Sequence, residues 1–273
     1  MSPLLSKYPN LVLVPVGTPI DKFINRSRYP MSVDQHWRSP GAERNYGILA
    51  VQYGDFEPEA GTYDVLIKHR GYKWELVKAF QDYIDYRKWN YIGFYDDDLL
   101  IDAISMSRSF EFAETRGFQA FQVSLAPGSE SQFRCTRNRP YLSYSTTNFI
   151  ESMAPVFHRS VMDGVLKLLN AYEVRSGWGM DIVMAEYLKL EPKIIHALQM
   201  FHPPRPDTGS TYSKSAAAEE MHYVFDVAFP KLMASEGRSV LFDYHQFSPT
   251  VRRRFFSPRL SPGEWWRWLV NRK

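Results

Sequence analysis

The chain has 273 residues, 44% hydrophobic and 23% charged, which is the composition of a globular protein rather than of a disordered segment. Its single cysteine, Cys135, excludes an internal disulfide and a Cys-rich zinc site, and no apolar run approaches the ~18 residues of a membrane-spanning helix. The net charge of +3 is unevenly spread: positions 249–273 hold seven Lys or Arg against one acid, a net of +6 that leaves the other 248 residues at −3.

In chain order, the opening MSPLLSKYPNLVLVPVG lacks a small-residue cleavage pattern, and Pro15 interrupts its apolar run. It reads as a first strand at 10–17 rather than a signal peptide, so the expected location is the cytoplasm. Short apolar runs at 46–53 and 63–69 predict two more buried strands. The stretch 73–89 places Leu76, Phe80, Tyr83 and Ile84 on one helical face and leads into the strand NYIGFY, a strand-helix-strand unit of the kind that builds parallel sheets. A helix over 101–115 stopped by Gly117 and a strand at 118–125 continue the alternation. The polar, turn-rich segment 126–147 reads as a long loop. NFIESMAPVF (148–157) reads as a strand entering a helix at 159–172, followed by the GWGMD turn, a helical pattern to Leu188, and a last strand at 193–201 before the breaker HPPRP. Beyond Pro206 a long helix over 213–234 precedes the basic tail. The expected fold class is α/β, with a core over 1–206 and a helical, basic C-terminal extension over 207–273.

FYDDDLLID sets Asp96, Asp97 and Asp98 at the carboxyl end of a predicted strand, where ligands gather in open α/β sheets. Three adjacent carboxylates repel one another, and an all-oxygen set favours a hard ion, Mg²⁺ or Mn²⁺, which binds phosphate oxygens as well. The other reading is an acidic helix N-terminus, although three consecutive acids exceed what capping needs. A G-x-S-x-G elbow, a Walker A loop, a G-x-G-x-x-G after the first strand and an H-E-x-x-H helix are all missing from the sequence.

YIGFYDDDLLI resembles the Asp-x-Asp segment of GT-A type nucleotide-sugar glycosyltransferases. Together with KHRGYKW upstream and NFIESMAPVF and GWGMD downstream, it resembles the "lysine-ketoglutarate reductase trans-splicing related" domains and, more distantly, fringe-like transferases. The resemblance covers about Asn10 to His202 and implies a Rossmann-like, mixed but mostly parallel sheet flanked by helices. It implies that Asp98 ligates the metal and that Asp96 contacts ribose or the metal's water shell. Asp97 stands where related domains often carry Glu, which leaves its share of the work open. By the same resemblance Lys73 lies near the nucleotide or its phosphates; the competing reading is a solvated lysine at a helix start.

Asp181 of GWGMD corresponds to the carboxylate that serves inverting members as general base, removing the acceptor's hydroxyl proton; it also suits a helix cap. Glu151 falls in a strand that otherwise reads as buried, so it needs a partner, either a sugar hydroxyl, as the resemblance implies, or an arginine. His202 follows an apolar strand and precedes Pro203 and Pro204, and the resemblance implies a late histidine completing the metal site; a local hydrogen-bonding role is the alternative. Trp178, between two glycines, either stacks on a sugar ring or anchors the turn.

In the tail, SPGEWWRWLVNRK has a capping-box start and a Trp265, Trp268 and Leu269 face. It either docks on the protein's own sheet, lies in an anionic membrane interface, or joins Arg252, Arg253 and Arg254 in gripping phosphates. The expected function is metal-dependent inverting transfer from a nucleotide diphosphate sugar, UDP-linked, to a glycan or glycolipid hydroxyl. The alternatives are glycosylation of a hydroxymethylated pyrimidine in DNA, as in the base J glucosyltransferase of related fold, and a non-catalytic nucleotide- or glycan-binding protein.

Overall fold

The computed structural model describes residues 3–27, 29–130, 133–204, 213–241 and 243–256. The proposed amphipathic segment 261–273 lies outside the described residues. A nine-stranded sheet forms the centre, in the order β3-β2-β1-β4-β7-β5-β8-β6-β9. Its strands are β1 (Asn10–Val16), β2 (Tyr46–Gln52), β3 (Val65–Lys68), β4 (Tyr91–Phe94), β5 (Ala120–Leu125), β6 (Leu142–Thr147), β7 (Val156–His158), β8 (Lys193–Met200) and β9 (Val251–Phe256). β1 is parallel to both β2 and β4, β2 to β3, and β5 to β8, while β7 runs antiparallel between β4 and β5 and β6 antiparallel between β8 and β9. Seven strands therefore point one way and only β6 and β7 are reversed, the mixed and mostly parallel sheet that the sequence predicts. The carboxyl ends of β1, β2, β4, β5 and β8 lie along one edge.

The helices are α1 (Pro3–Ser6), α2 (Ile20–Ser27), α3 (Lys73–Phe80), α4 (Ala103–Thr115), α5 (Met162–Asn170), α6 (Met180–Tyr187), α7 (Lys214–Tyr223) and α8 (Phe229–Ser235), with a π-helical stretch Val224–Ala228 joining the last two. Both faces of the sheet are covered, because strand side chains alternate between two apolar layers. Leu11 and Leu13 of β1 join Trp74, Leu168, Met180 and Phe229 on one face. Val12, Val14 and Val16 join Trp37, Met106 and Phe110 on the other.

Four local expectations change. The predicted helix over 73–89 stops at Phe80; Tyr86 and Trp89 are buried beyond it in a separate 3₁₀ turn, while Tyr83, assigned to the buried face, is 79% exposed. The long polar loop contains β6, whose Ser145 hydroxyl meets His196 Nε2 at 2.9 Å while Tyr144 stacks on Phe255. NFIESMAPVF is not a continuous strand: only Val156–His158 is, and 148–155 form a loop along the carboxyl edge. Nor is the C-terminal extension helical throughout its described residues, since it includes the arginine run. That run is the edge strand β9, with Arg252, Arg253 and Arg254 exposed.

Candidate active site at the carboxyl edge of the sheet

Asp96, Asp97 and Asp98 follow β4 and do not cap the next helix, since Asp102 does so by accepting from the Ser105 N–H at 2.7 Å. Each of the three acids meets a different partner. Lys73, in the first turn of α3, donates from Nζ to Asp96 Oδ1 at 2.6 Å, to the Met153 carbonyl at 3.2 Å and to the Ser152 carbonyl. With only 9% of its side chain exposed, Lys73 is no solvated helix-start residue; it is a cation fastening the β4 end to the loop 148–155. Asp97 accepts from the Gly17 N–H at 3.0 Å, just past β1. Desolvation and the neighbouring Asp98 push the Asp97 carboxyl up to about 7, against the pull of Arg38.

Asp98 is buried and faces His202, just beyond the end of β8, with Oδ2 3.5 Å from Nε2. His202 Nδ1 lies 3.1 Å from the Glu130 carbonyl. A carbonyl can only accept, so Nδ1 carries its proton and Nε2 is the atom turned toward Asp98. This is the arrangement in which a metal-ligating imidazole is held by its other nitrogen. A separation of 3.5 Å also suits two donors on one octahedral Mg²⁺ or Mn²⁺, whose adjacent ligands lie about 3 Å apart. Asp98 and His202 therefore fit a divalent ion, while Asp96 is committed to Lys73.

Glu151 and Asp181 complete the cluster. Glu151, 6% exposed, lies in the loop 148–155, where Gln122 Oε1 accepts from its N–H at 2.7 Å. Burial raises its carboxyl to about 7, against the opposing effects of His202, Thr136 and Gln122. Its charged neighbours among the described residues include His202, Asp96 and Asp181. Asp181, 8% exposed, sits in the first turn of α6. Burial and the Glu151 charge raise its carboxyl to about 7 too, although it accepts from backbone N–H groups of Gly179, Ile182 and Ser152. The capping and catalytic readings of Asp181 thus share one geometry. Two buried carboxyls that repel each other release their protons as a coupled pair close to neutral pH, the condition a general base requires.

The GWGMD turn is shaped by close packing. Gly177 (φ 79°) and Gly179 (φ 86°) adopt left-handed backbone that favours glycine. A Cβ on Gly177 would stand 2.4 Å from the Trp74 ring, and one on Gly179 3.2 Å from the Met221 backbone. Glu220 of α7 holds the preceding residues: its carboxylate accepts from the N–H groups of Arg175 (3.1 Å), Ser176 (2.8 Å) and Gly177 (3.1 Å) and from the Ser176 hydroxyl (3.0 Å). Trp178 is half-buried at the turn.

Sequence reasoning missed Glu220, which acts from the extension, and Arg38. The segment 36–38 is anchored beneath the acids: His36 Nε2 and Trp37 Nε1 donate to the Leu99 carbonyl at 3.1 and 2.9 Å. Arg38 is 1% exposed, and its Nε and Nη1 meet no hydrogen-bond partner among the described residues. Burial lowers its pKa to about 10 despite the attraction of Asp97. It lines a cavity of about 220 Å³, with Pro19, Phe56 and Glu57, beyond the ends of β1 and β2. A signal was present in HWRSP, an arginine within a short aromatic segment just upstream of a strand.

Arg252–Arg254 are not brought to this site. Arg253 pairs with Thr146, which pairs with Lys193 at the start of β8, whereas His202 follows the other end of that eight-residue strand. β8 is irregular and runs alongside only the five residues Phe121–Leu125 of β5, so at ~3.3 Å per residue its two ends are about 13 Å apart.

No family model matches this sequence, and no curated protein matches it. Solved structures do. The crystal structure of residues 1–349 of S. aureus TarS in complex with UDP-GlcNAc aligns with a TM-score of 0.50 at 8% identity, over 86% of this chain and 68% of that one. The same fragment in complex with UDP gives a TM-score of 0.43 at 8% identity, over 80% and 72%. A197 from STIV gives 0.38 at 13% identity, over 72% and 86%. At such identities the likeness is one of fold: the chain has the mixed α/β, GT-A-like architecture.

Proposed function

We propose that this chain is a hexosyl-type glycosyltransferase that takes a UDP-linked sugar and transfers it, with inversion, to a hydroxyl of a glycan or glycolipid. The observation that carries this reading is the meeting of Asp98, His202, Glu151 and Asp181 at the carboxyl edge of a GT-A-like sheet. The fold is shared with a structure that holds UDP-GlcNAc, which supports a nucleotide-sugar donor.

In this reading Asp98 and His202 hold Mg²⁺ or Mn²⁺, which when bound offsets the charge growing on the departing diphosphate. The cavity beside Arg38 takes the nucleoside, with the buried guanidinium offering donors to it. Lys73 fixes Asp96 at the end of β4 and lends positive charge near the phosphates. Asp181 accepts the proton of the acceptor hydroxyl as its oxygen bonds to the anomeric carbon, while the bond from that carbon to the diphosphate oxygen breaks and its electron pair leaves with UDP. Glu151 holds sugar hydroxyls and keeps the Asp181 carboxyl basic enough to act. Trp178 stacks on a sugar face. The placement of Arg252–Arg254 on an edge strand, beside the end of β8 opposite His202, favours a glycan or glycolipid acceptor over a DNA base gripped by those arginines.

The test is UDP release from a panel of UDP-sugars in the presence of Mn²⁺. The reading expects turnover with at least one donor and its loss in Asp98→Asn and in Asp181→Asn. Full activity in both variants, or neither turnover nor UDP binding across the panel, overturns it. UDP binding without turnover would leave the non-catalytic binding protein.

A further inference from the structure

Outside the acidic edge, one group of side chains among the described residues has the composition of a metal site. His222 of α7, Asp226 of the π-helical stretch and His245 of the 3₁₀ turn Tyr244–Gln246 each turn one ligand atom toward the others, and the three atoms lie within 4.8 Å of one another. We propose that these residues bind Zn²⁺, or a transition-metal ion of similar preference, independently of the proposed transferase function.

Two imidazoles and one carboxylate form a borderline donor set that prefers Zn²⁺ to Mg²⁺ or Mn²⁺, unlike the oxygen-richer chemistry expected beside β4. Zn–N and Zn–O bonds of ~2.0–2.1 Å place tetrahedral ligands about 3.3 Å apart. His245 Nε2 and Asp226 Oδ1 are already 2.7 Å apart, and the His222 and His245 rings lie face to face with centroids 5.3 Å apart. Small rotations of exposed side chains close the remaining distance. All three residues are exposed, so an ion reaches them without opening the core and keeps a coordination position for water.

The backbone that carries them is fixed by buried aromatic packing. Tyr244 stacks on Phe225 at 5.4 Å and meets Phe229 edge-on at 5.6 Å, and its hydroxyl bonds Glu186 of α6. Tyr244 and Phe225, the residues before His245 and Asp226, are thus pinned, and the π-helical stretch, a local departure that recurs at functional sites, sets Asp226 opposite His245. A bound ion would cross-link α7 to the segment that leads into β9. Because Glu220 lies two residues before His222, the same ion would stiffen the helix that clamps the GWGMD turn.

The proposal is tested by zinc titration of the full chain against a chromophoric chelator, in excess Mg²⁺. One zinc equivalent is expected. His222→Ala and His245→Ala should each weaken it at least about tenfold, and Asp98→Asn should leave it unchanged. Asp226→Asn, which keeps side-chain volume, should weaken it as well, with far-UV circular dichroism confirming that each variant is folded. Zinc should also slow amide exchange at 244–246 in the wild type. Equal zinc affinity in wild type and the histidine variants, no zinc bound, or loss only in Asp98→Asn would each overturn the site.

Discussion

Lys73 Nζ and Asp96 Oδ1 stand 2.6 Å apart, the lysine shielded and the aspartate at the rim of the acidic cluster. Removing one member of a shielded pair leaves the other charge uncompensated, whereas removing both does not. Lys73→Met should therefore destabilise the protein by about 3 kcal/mol. Lys73→Met combined with Asp96→Asn should recover much of that loss, as measured by urea denaturation in a double-mutant cycle. UDP release by the single variant should fall with its stability at ordinary temperature and stay low on cooling if Lys73 also serves the phosphates.

The Glu151 and Asp181 carboxyls are both raised to about 7, so the pH dependence has a defined sign. The folded state keeps protons that the unfolded chain, with ordinary values of 4.5 and 3.8, has already released. Stability contributed by the pair therefore falls between about pH 4 and 7 and levels off above. Turnover should follow the opposite course, rising toward neutrality as Asp181 becomes a base. Glu151→Gln removes one of the causes that raise Asp181, so the rising limb of kcat/KM should move to lower pH. An unchanged limb would separate the two groups. Asp181→Asn should lower kcat by ~10²- to 10⁴-fold while leaving UDP affinity, measured calorimetrically, nearly unchanged.

The Asp98–His202 pair makes a separate demand. Chelation should abolish turnover, and Mn²⁺ should restore it. In His202→Ala the Mn²⁺ concentration giving half-maximal rate should rise at least about tenfold, with saturating rates closer to wild type than those of Asp181→Asn.

Glu220 acts on the turn from outside it. Truncation to alanine strips the N–H groups of Arg175, Ser176 and Gly177 of their acceptor and should cost about 2 kcal/mol. If the carboxylate positions Asp181 through that turn, kcat should fall about tenfold with KM for the donor little changed, and Glu220→Gln should rescue part of the loss. Equal losses in both kinetic constants would assign it a purely structural role.

The apolar runs of β1, β2, β4 and β8 were legible because strands buried on both faces have few polar positions, and the end of each one locates the ligand edge. His202 could be read for the same reason, as it follows such a strand and precedes two prolines. β6 and β9 were not legible. LSYSTT and VRRRFF owe their pairing to each other and to β8, contacts between segments far apart in the chain that leave no local period. Glu151 reads in the sequence as a buried carboxylate needing a partner, but its segment reads as a strand and folds as a loop, because the apolar residues around it pack over the sheet end without alternating. For Lys73 the sequence leaves a place near the nucleotide, implied by resemblance, beside a solvated helix start, and for Glu220 it carries no signal; the folded chain shows that one secures the β4 end and the other the GWGMD turn.

Arg38 stands apart from these charges, since its guanidinium has been stripped of water during folding and its Nε and Nη1 have no protein acceptor among the described residues. A ligand oxygen arriving there would encounter an already dehydrated, immobilised fork, so much of the usual penalty for recruiting an arginine is met before the encounter. Heat denaturation would report this as an upward shift of the midpoint on adding UDP, larger in the wild type than in Arg38→Met.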